Sequence, residues 1–505
     1  MKKHSCKWLC FYLALFGLAS CGENDENTTA QEGAQSKTEA SDDIGVQEND
    51  DSVSSADTTD GSTSLAGDSS EGTADPASST SATGSETGTP GDDTDDNPTF
   101  TANETDTQTD SATGGGWPAG TEHPSVVLQL GSNKPDYCNG IALSGDAVYI
   151  TGSTQGTLGD TANPSSRLDM FVAKLDFELK VQWIRQRGTT ADELGRAIVL
   201  DESGNVYVAG TAWGHFDGNE NPMPGMGDVF IVKYDSSGRW QWTTTWPTSE
   251  DDYAYSIATN GSALYVTGAT DWETGFVKKF DTAGKEGWES LVAMGTLDIP
   301  QAVAVDKKTG NIYSAGHSFA SMDEGDADAF VVQFSPSGKR LGAISFGTPW
   351  RDEIRSMVFD APTSTLLVGG MVEDALPGNL WAGSGDAFVA RIGTDLVLKW
   401  ATQIGGKAFD QAHGVSVSTD GRIFAAGRVD SVFIPDDVHG DIFLAQFGPS
   451  GASQWLETWS SGGEDFANAV AANERSVFVC ANTRGTLGQS AKGYSDLAII
   501  RLDLE

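Results

Sequence analysis

Asn205-Val-Tyr-Val-Ala-Gly210, followed by Asp228-Val-Phe-Ile-Val-Lys233, is one copy of a pattern that the chain repeats seven times after residue 125. The first half recurs as Val148-Tyr-Ile-Thr-Gly152, Leu264-Tyr-Val-Thr-Gly268, Ile312-Tyr-Ser-Ala-Gly316, Leu366-Leu-Val-Gly-Gly370, Ile423-Phe-Ala-Ala-Gly427 and Val477-Phe-Val-Cys-Ala481. Each run is short, rich in β-branched and aromatic residues and bounded by turn formers, which is the composition of a strand. A period of roughly 46 to 59 residues built only from such runs predicts a β-propeller. The repetition also sorts the residues. What recurs in every copy serves the fold, and function lies in what differs between copies.

Outward from this run, each module reads as four strands. An amphipathic strand, often with Trp, spans 126–130, 181–185, 240–242, 287–288, 341–346, 398–400 and 454–456. A small aliphatic strand such as 140–143 or 197–200 follows, then V-Y-V-x-G, then D-x-F-V-x-K. Ser203-Gly-Asn205, Asn260-Gly261, Thr309-Gly-Asn311 and Asp420-Gly421 mark one class of hairpin; Ser237-Gly238, Ala283-Gly284, Ser337-Gly338 and Ser450-Gly451 mark another. The seventh module ends at Asp496-Leu-Ala-Ile-Ile-Arg501 without a Trp-type strand, whereas 126–130 precedes the first module. The expected fold is therefore all-β: a seven-bladed propeller over residues 123–505, its four-stranded antiparallel blades closed by the N-terminal strand, which completes the last blade and removes two open edges.

Ala302-Val-Ala-Val-Asp306 and Asp386-Ala-Phe-Val-Ala-Arg391, together with the N-V-Y-V-x-G runs, resemble the repeats of the bacterial SBBP family of seven-bladed propellers. The resemblance covers residues of about 125 to 505. It implies the propeller fold and an extracytoplasmic, secreted or lipid-anchored setting, and it implies no catalytic residue.

An acidic residue precedes each small aliphatic strand: Asp136, Glu193, Asp252, Asp298, Glu353, Asp410 and Asp465. Such a ring at the channel mouth could hold Ca2+ through several oxygens. Its recurrence in all seven modules assigns it instead to turns, where each carboxylate accepts backbone N–H bonds and ties one blade to the next. A second series, Asp169, Asp228, Asp328, Asp386, Asp441 and Asp496, opens the D-x-F-V-x-K strand and is read the same way. Asp323, Asp326 and Asp328 form the densest local cluster and the best single place for a cation, without the spacing of an EF-hand loop.

The loops between the V-Y-V-x-G and D-x-F-V-x-K strands vary most, and they carry Trp213, His215, Phe216, Trp272, Trp381 and Phe433. Aromatic groups on variable loops over a rigid scaffold are the best binding candidates. Folding back over blade edges is the alternative for each of them. The repeated Trp183, Trp242, Trp288 and Trp455 are assigned to packing between blades. Cys138 and Cys480 fall on the same face of adjacent blades, so an oxidising compartment would allow a disulfide locking the ring; two separate buried thiols are the alternative.

The front of the chain differs throughout. Lys2 and Lys3 precede an apolar stretch from Trp8 to Ala19, too short to span a bilayer, which reads as a signal peptide over 1–20. Leu18-Ala19-Ser20-Cys21 resembles a lipobox, which implies a lipid-modified Cys21; Gly22 after it, by resemblance to enterobacterial sorting, points to the outer membrane. Residues 21–122 are rich in Ser, Thr, Gly, Asp and Glu, and from Gly22 to Gly120 there are 23 acidic residues against the single Lys37. Such a segment buries too little apolar surface to offset its ordering entropy and reads as a disordered tether.

The net charge of −41 argues against nucleic acid and against direct docking on anionic lipid. No H-E-x-x-H, G-x-S-x-G or P-loop occurs. The expected function is thus a non-catalytic binding or scaffold module, lipid-anchored in the bacterial envelope at the outer membrane or cell surface. It would require no cofactor, with Ca2+ as the one compatible ion, and would act as a monomer on a protein or glycan ligand. An assembly scaffold facing the periplasm, and more remotely a propeller hydrolase or lyase, are the alternatives.

Overall fold

The V-Y-V-x-G runs form strands buried along almost their whole length, as in Ala147–Thr154, Val206–Ala212 and Ser476–Thr483. A strand covered on both faces tolerates only apolar or small side chains, which explains the lack of alternation in these runs. Each is the second strand of a four-stranded antiparallel sheet, and seven such sheets are present. These observations come from a computed structural model that describes residues 123–159, 165–216, 226–271, 273–319, 326–381, 383–430 and 440–504. The signal peptide, Cys21, the acidic tether, Asp323, Trp272 and Phe433 lie outside the described residues.

The strand Ser125–Leu130 pairs antiparallel with Asp496–Asp503, so the seventh sheet takes its outermost strand from the start of the propeller. One apolar cluster fills each seam between neighbouring blades. The seam of blades seven and one, with Val148, Phe171, Phe478 and Ile499, is built like the other six. Burying a side chain of this size contributes about 1.5–3 kcal/mol, so the seams hold the ring together. Cys138 and Cys480 are joined by a disulfide across this same seam.

The repeated tryptophans extend the seams outward. Trp288, on the outer strand of blade three, lies over Gly338 in the last hairpin of blade four and donates its indole N–H to the Pro336 carbonyl at 3.0 Å. A Cβ on Gly338 would meet that ring at 2.6 Å, and its φ of +84° suits glycine. Trp183, Trp242 and Trp400 stand against Gly238, Gly284 and Gly451 in the same way. Trp455 instead packs against His123 with the rings tilted, at 4.7 Å between ring centroids.

The inner strands are longer than their sequence suggests. They span Asp136–Ser144, Glu193–Leu200, Asp252–Thr259, Leu297–Val305, Asp352–Asp360, Asp410–Val417 and Asp465–Ala472. Each carries a β-bulge at one equivalent place, as between Cys138 and Gly140 or Gly195 and Ala197. The extra residue breaks the alternation of side chains, so only the half after the bulge reads as a strand in sequence. The bulge also explains the repeated glycine. A Cβ on Gly210 would lie 1.9 Å from the Leu194 carbonyl oxygen, and one on Gly268 would lie 1.8 Å from that of Tyr253.

Candidate functional site

The inner strands begin with buried carboxylates whose acceptors are spent on the backbone. Asp136 accepts the Ser132 N–H at 2.5 Å, Glu193 that of Thr189 at 2.8 Å and Asp298 that of Met294 at 2.9 Å. Asp410 accepts from Gly406 at 2.6 Å and Asp465 from Ser461 at 2.6 Å; Asp252 takes the equivalent bond from Thr248. Side-chain hydroxyls add to these, as Thr270 does on Asp252 and Ser318 on Asp298. The donor lies four residues upstream in every case, so each carboxylate closes the link between two blades.

Blade five corrects one sequence assignment. Asp352, not Glu353, accepts the Thr348 N–H and holds the linking position. Two adjacent acids make this register ambiguous in sequence; the bulge at Arg355 settles it by pairing Ile354 with Gly370 and Ser356 with Gly369. Burial pushes the linking carboxyls up, to about 6 for Asp136 and Asp465, about 7 for Asp352 and about 8 for Glu193 and Asp410. The N–H and O–H donors pull the other way.

Three residues further along each strand the bulge turns a side chain to the axis. These seven positions, occupied by Asn139, Arg196, Tyr255, Gln301, Arg355, His413 and Asn468, form a polar belt around a central channel of about 480 Å³. Latches onto the next blade come from this belt: Asn139 donates to the Gly195 carbonyl (2.8 Å), His413 to that of Ala467 (2.6 Å) and Asn468 to that of Cys138 (2.7 Å). Beyond the belt the lining turns apolar, with Leu143, Leu200, Val305 and Phe359. The repeat is geometrically constant here and chemically varied, with Asn in two blades, Arg in two, and Tyr, Gln and His in one each. Sequence reasoning missed the belt because a bulge leaves no composition of its own; the signal available was the polar residue recurring three positions after each linking acid.

Glu353 belongs to a different structure, a polar network crossing three blades. It is fully buried between Arg351 and Arg355, with Arg355 Nη2 at 3.0 Å. The arginines hold its carboxyl down, at about 2, despite the cost of burial. Turned with its amide oxygen toward Arg355, Gln411 accepts from Nε at 2.7 Å and donates to His413 Nε2 at 2.8 Å. His413 then keeps its proton on Nδ1, facing Ala467, and burial pushes its pKa down to about 3. His317 is also fully buried beside this network, and burial lowers it to about 4.

The loop candidates divide. Phe216 is buried against Phe230, with centroids 4.8 Å apart, and Trp213 packs on Tyr253 of the next blade at 6.1 Å. Both fold back onto blade edges and are removed from the binding set. His215 is exposed, and Trp381 with Leu380 stays open to solvent, at 51% and 68% exposure. Trp350, which sequence did not single out, is 60% exposed on the link before Asp352. Asp326 and Asp328 are exposed, and Asp328 accepts from Ser345 at 3.0 Å. Among the described residues no group of three His, Cys, Asp or Glu is placed to hold a metal ion. Outer-strand glutamines are a further feature unseen in sequence: Gln186 binds both Asp169 and the Gly156 carbonyl, and Gln129 binds both Asp496 and Gly485, each pinning the loop above its blade.

A family model for a propeller repeat agrees with this architecture. The beta-propeller repeat family SBBP matches residues 182–217, beginning in the outer strand of blade one and including the first two strands of blade two. The regulatory protein FlaEY of Caulobacter vibrioides is 23% identical over 333 residues, covering 63% of this chain and 32% of its own. The chain thus spans about a third of that curated relative. Among solved structures, Sqt1 of Chaetomium thermophilum is 11% identical with a TM-score of 0.42, covering 75% of this chain and 100% of its own. The periplasmic gluconolactonase PpgL of Pseudomonas aeruginosa is 12% identical with a TM-score of 0.41, over 64% of this chain and 85% of its own. The chain is a seven-bladed β-propeller that carries the SBBP beta-propeller repeat.

Proposed function

We propose that the propeller is a non-catalytic binding module whose recognition end is the one where the inner strands begin, combining the channel belt with the exposed Trp350 and Trp381. The observation that carries this reading is the constant bulge whose seven positions hold five different residue types. A scaffold alone needs one good residue at such a place, whereas a ligand with unlike sides needs several. The network speaks against catalysis: both His413 nitrogens are engaged and Glu353 is held ionised between two arginines, so neither is poised to move a proton. Glycan and small-molecule arrays probed with the labelled full chain test the reading. Binding that is lost in Tyr255→Ala and Gln301→Ala while folding persists, with the bound molecule recovered unchanged, is the expected result. Recovery of a chemically altered molecule would make the protein an enzyme, and binding indifferent to both substitutions would place recognition elsewhere.

The same proposal puts the propeller outside the cytoplasm, held to the envelope through a lipid on Cys21. The Leu18-Ala19-Ser20-Cys21 run supports this, and the Cys138–Cys480 disulfide suits an oxidising compartment. Palmitate labelling in vivo checks it: wild type should incorporate label and sediment with membranes, and Cys21→Ser should do neither.

A further inference from the structure

We infer that the central channel takes a small ligand bearing a carboxylate or phosphate group, with an apolar body behind it. The inference rests on the reading of the channel as a binding site and adds the charge of what enters. The chain carries 72 acidic residues against 31 basic ones, yet among the described residues no Asp or Glu lines the channel. Its charged lining residues are all cations: Arg196 on blade two, Arg355 on blade five and Lys307 near the opposite rim. The two arginines stand three of seven blades apart, nearly across from one another, and the amides of Asn139, Gln301 and Asn468 stand between them around the belt. Arg351 and Arg355 together outweigh the one charge of Glu353, so with Arg196 and Lys307 the lining keeps a net positive charge, which is complementary to an anionic group and repels an ammonium.

The negative charge of the whole protein does not cancel this. Beyond about 8–10 Å, exposed charges are largely screened at physiological ionic strength, so the surface acids act weakly on the channel. The linking carboxylates are turned into the backbone, and Glu353 is matched by Arg351 and Arg355. Past the belt the walls carry Leu143, Leu200, Val305 and Phe359, so a ligand entering with its charged group at the arginines lays apolar surface against them. A channel of about 480 Å³ has the size of small-molecule sites.

Phenyl phosphate, benzoate, benzyl alcohol and benzylamine keep one ring and change only the charge. Calorimetric titration of the full chain with all four tests the inference, and the first two separate phosphate from carboxylate as the source of the anion. At least one anion should bind about tenfold or more tighter than benzyl alcohol, with benzylamine weakest. Arg196→Gln should weaken that anion about tenfold and leave benzyl alcohol unchanged, and Lys307→Gln serves as the second variant if the first fails to fold. Equal or tighter binding of the alcohol or the amine, lost in Tyr255→Ala, would overturn the anion inference and leave the binding site standing. Anion binding untouched by either cation variant would overturn the placement in the channel. Failure of all four probes to bind would overturn the anion inference and leave the binding reading to the array test.

Discussion

The linking carboxylates and the belt lie three residues apart on the same seven strands, and they obey opposite rules. At the first position the residue barely changes, because the job is the same in each blade: accept an N–H from four residues upstream and stay buried. At the second, the backbone does the constant work through the bulge, which frees the side chain to be amide, guanidinium, phenol or imidazole. A repeat protein thus holds its fold with the side chains that recur and has its chemistry available where the backbone alone sets the geometry. The comparison fails wherever an unrepeated residue proves structural, and the network around Glu353 is the first such place. Removing that carboxylate, as in Glu353→Ala, leaves Arg351 and Arg355 buried without their counter-charge, and should cost about 3–5 kcal/mol by denaturant titration. Glu353→Gln should recover part of it by accepting from Arg355.

The disulfide is the second exception. Cys138 and Cys480 have no counterpart in other blades, yet they cross-link residues separated by 342 positions at the seam where the ring closes. The double variant Cys138→Ser, Cys480→Ser should lose about 2–5 kcal/mol, and reductant should lower the wild-type Tm without lowering that of the variant. Blade seven, which takes its outer strand from Ser125–Leu130, should then be the first part to exchange amide hydrogens.

Within the repeated set, Asp410→Ala leaves the Gly406 and Asp430 N–H groups without their acceptor and should cost about 1–3 kcal/mol. Asp410→Asn keeps an acceptor oxygen and should cost less. The same group gives a pH signature. Burial raises Asp410 and Glu193 to about 8 and Asp352 to about 7, above the ordinary carboxylate values, so the folded state holds protons that the unfolded state has released. That stabilisation is complete below the unfolded pKa values and is lost as pH rises through the folded ones. His413 and His317, lowered to about 3 and about 4, work in the opposite sense below their ordinary 6.5. Between pH 6.5 and 8.5 the carboxylates dominate, so Tm should fall by a few degrees as pH rises, with a shallower slope in Asp410→Asn.

How much of this was legible in sequence follows from which features carry a composition. V-Y-V-x-G, the turn glycines and the Trp-type strands each impose residue types, so the seven blades of four strands could be read from them. Ser125–Leu130 could be read as the missing outer strand because Asp496–Asp503 has none after it. The linking acids were found for the same reason, and Glu353 was misplaced only because Asp352 stands beside it. The bulge was read past, since no single residue type marks it and only a polar residue three positions after each linking acid betrays it, and with it went the belt that is the candidate site. The loops misled in a different way. Trp213 and Phe216 are large apolar groups, and whether such a side chain covers its own blade or stays open is decided by the neighbouring blade, where Tyr253 receives Trp213. Trp381 has the same composition and remains exposed.

The smallest expected effect is the one that bears most directly on the opening comparison. Tyr255→Ala and Arg196→Gln alter belt residues that are partly open to the channel, in strands whose bulges are fixed by the neighbouring ladders. If the belt is there for a ligand, each substitution should change binding in the channel by a larger factor than it changes the folding equilibrium. Asn468→Ala is the internal control, because its amide donates to the Cys138 carbonyl at the closing seam, and it should cost about 1 kcal/mol. Equal losses at all three positions, measured by denaturant titration, would mean that the belt is one more set of latches between blades, and that the unrepeated chemistry of this propeller must be sought on the loops around Trp350 and Trp381.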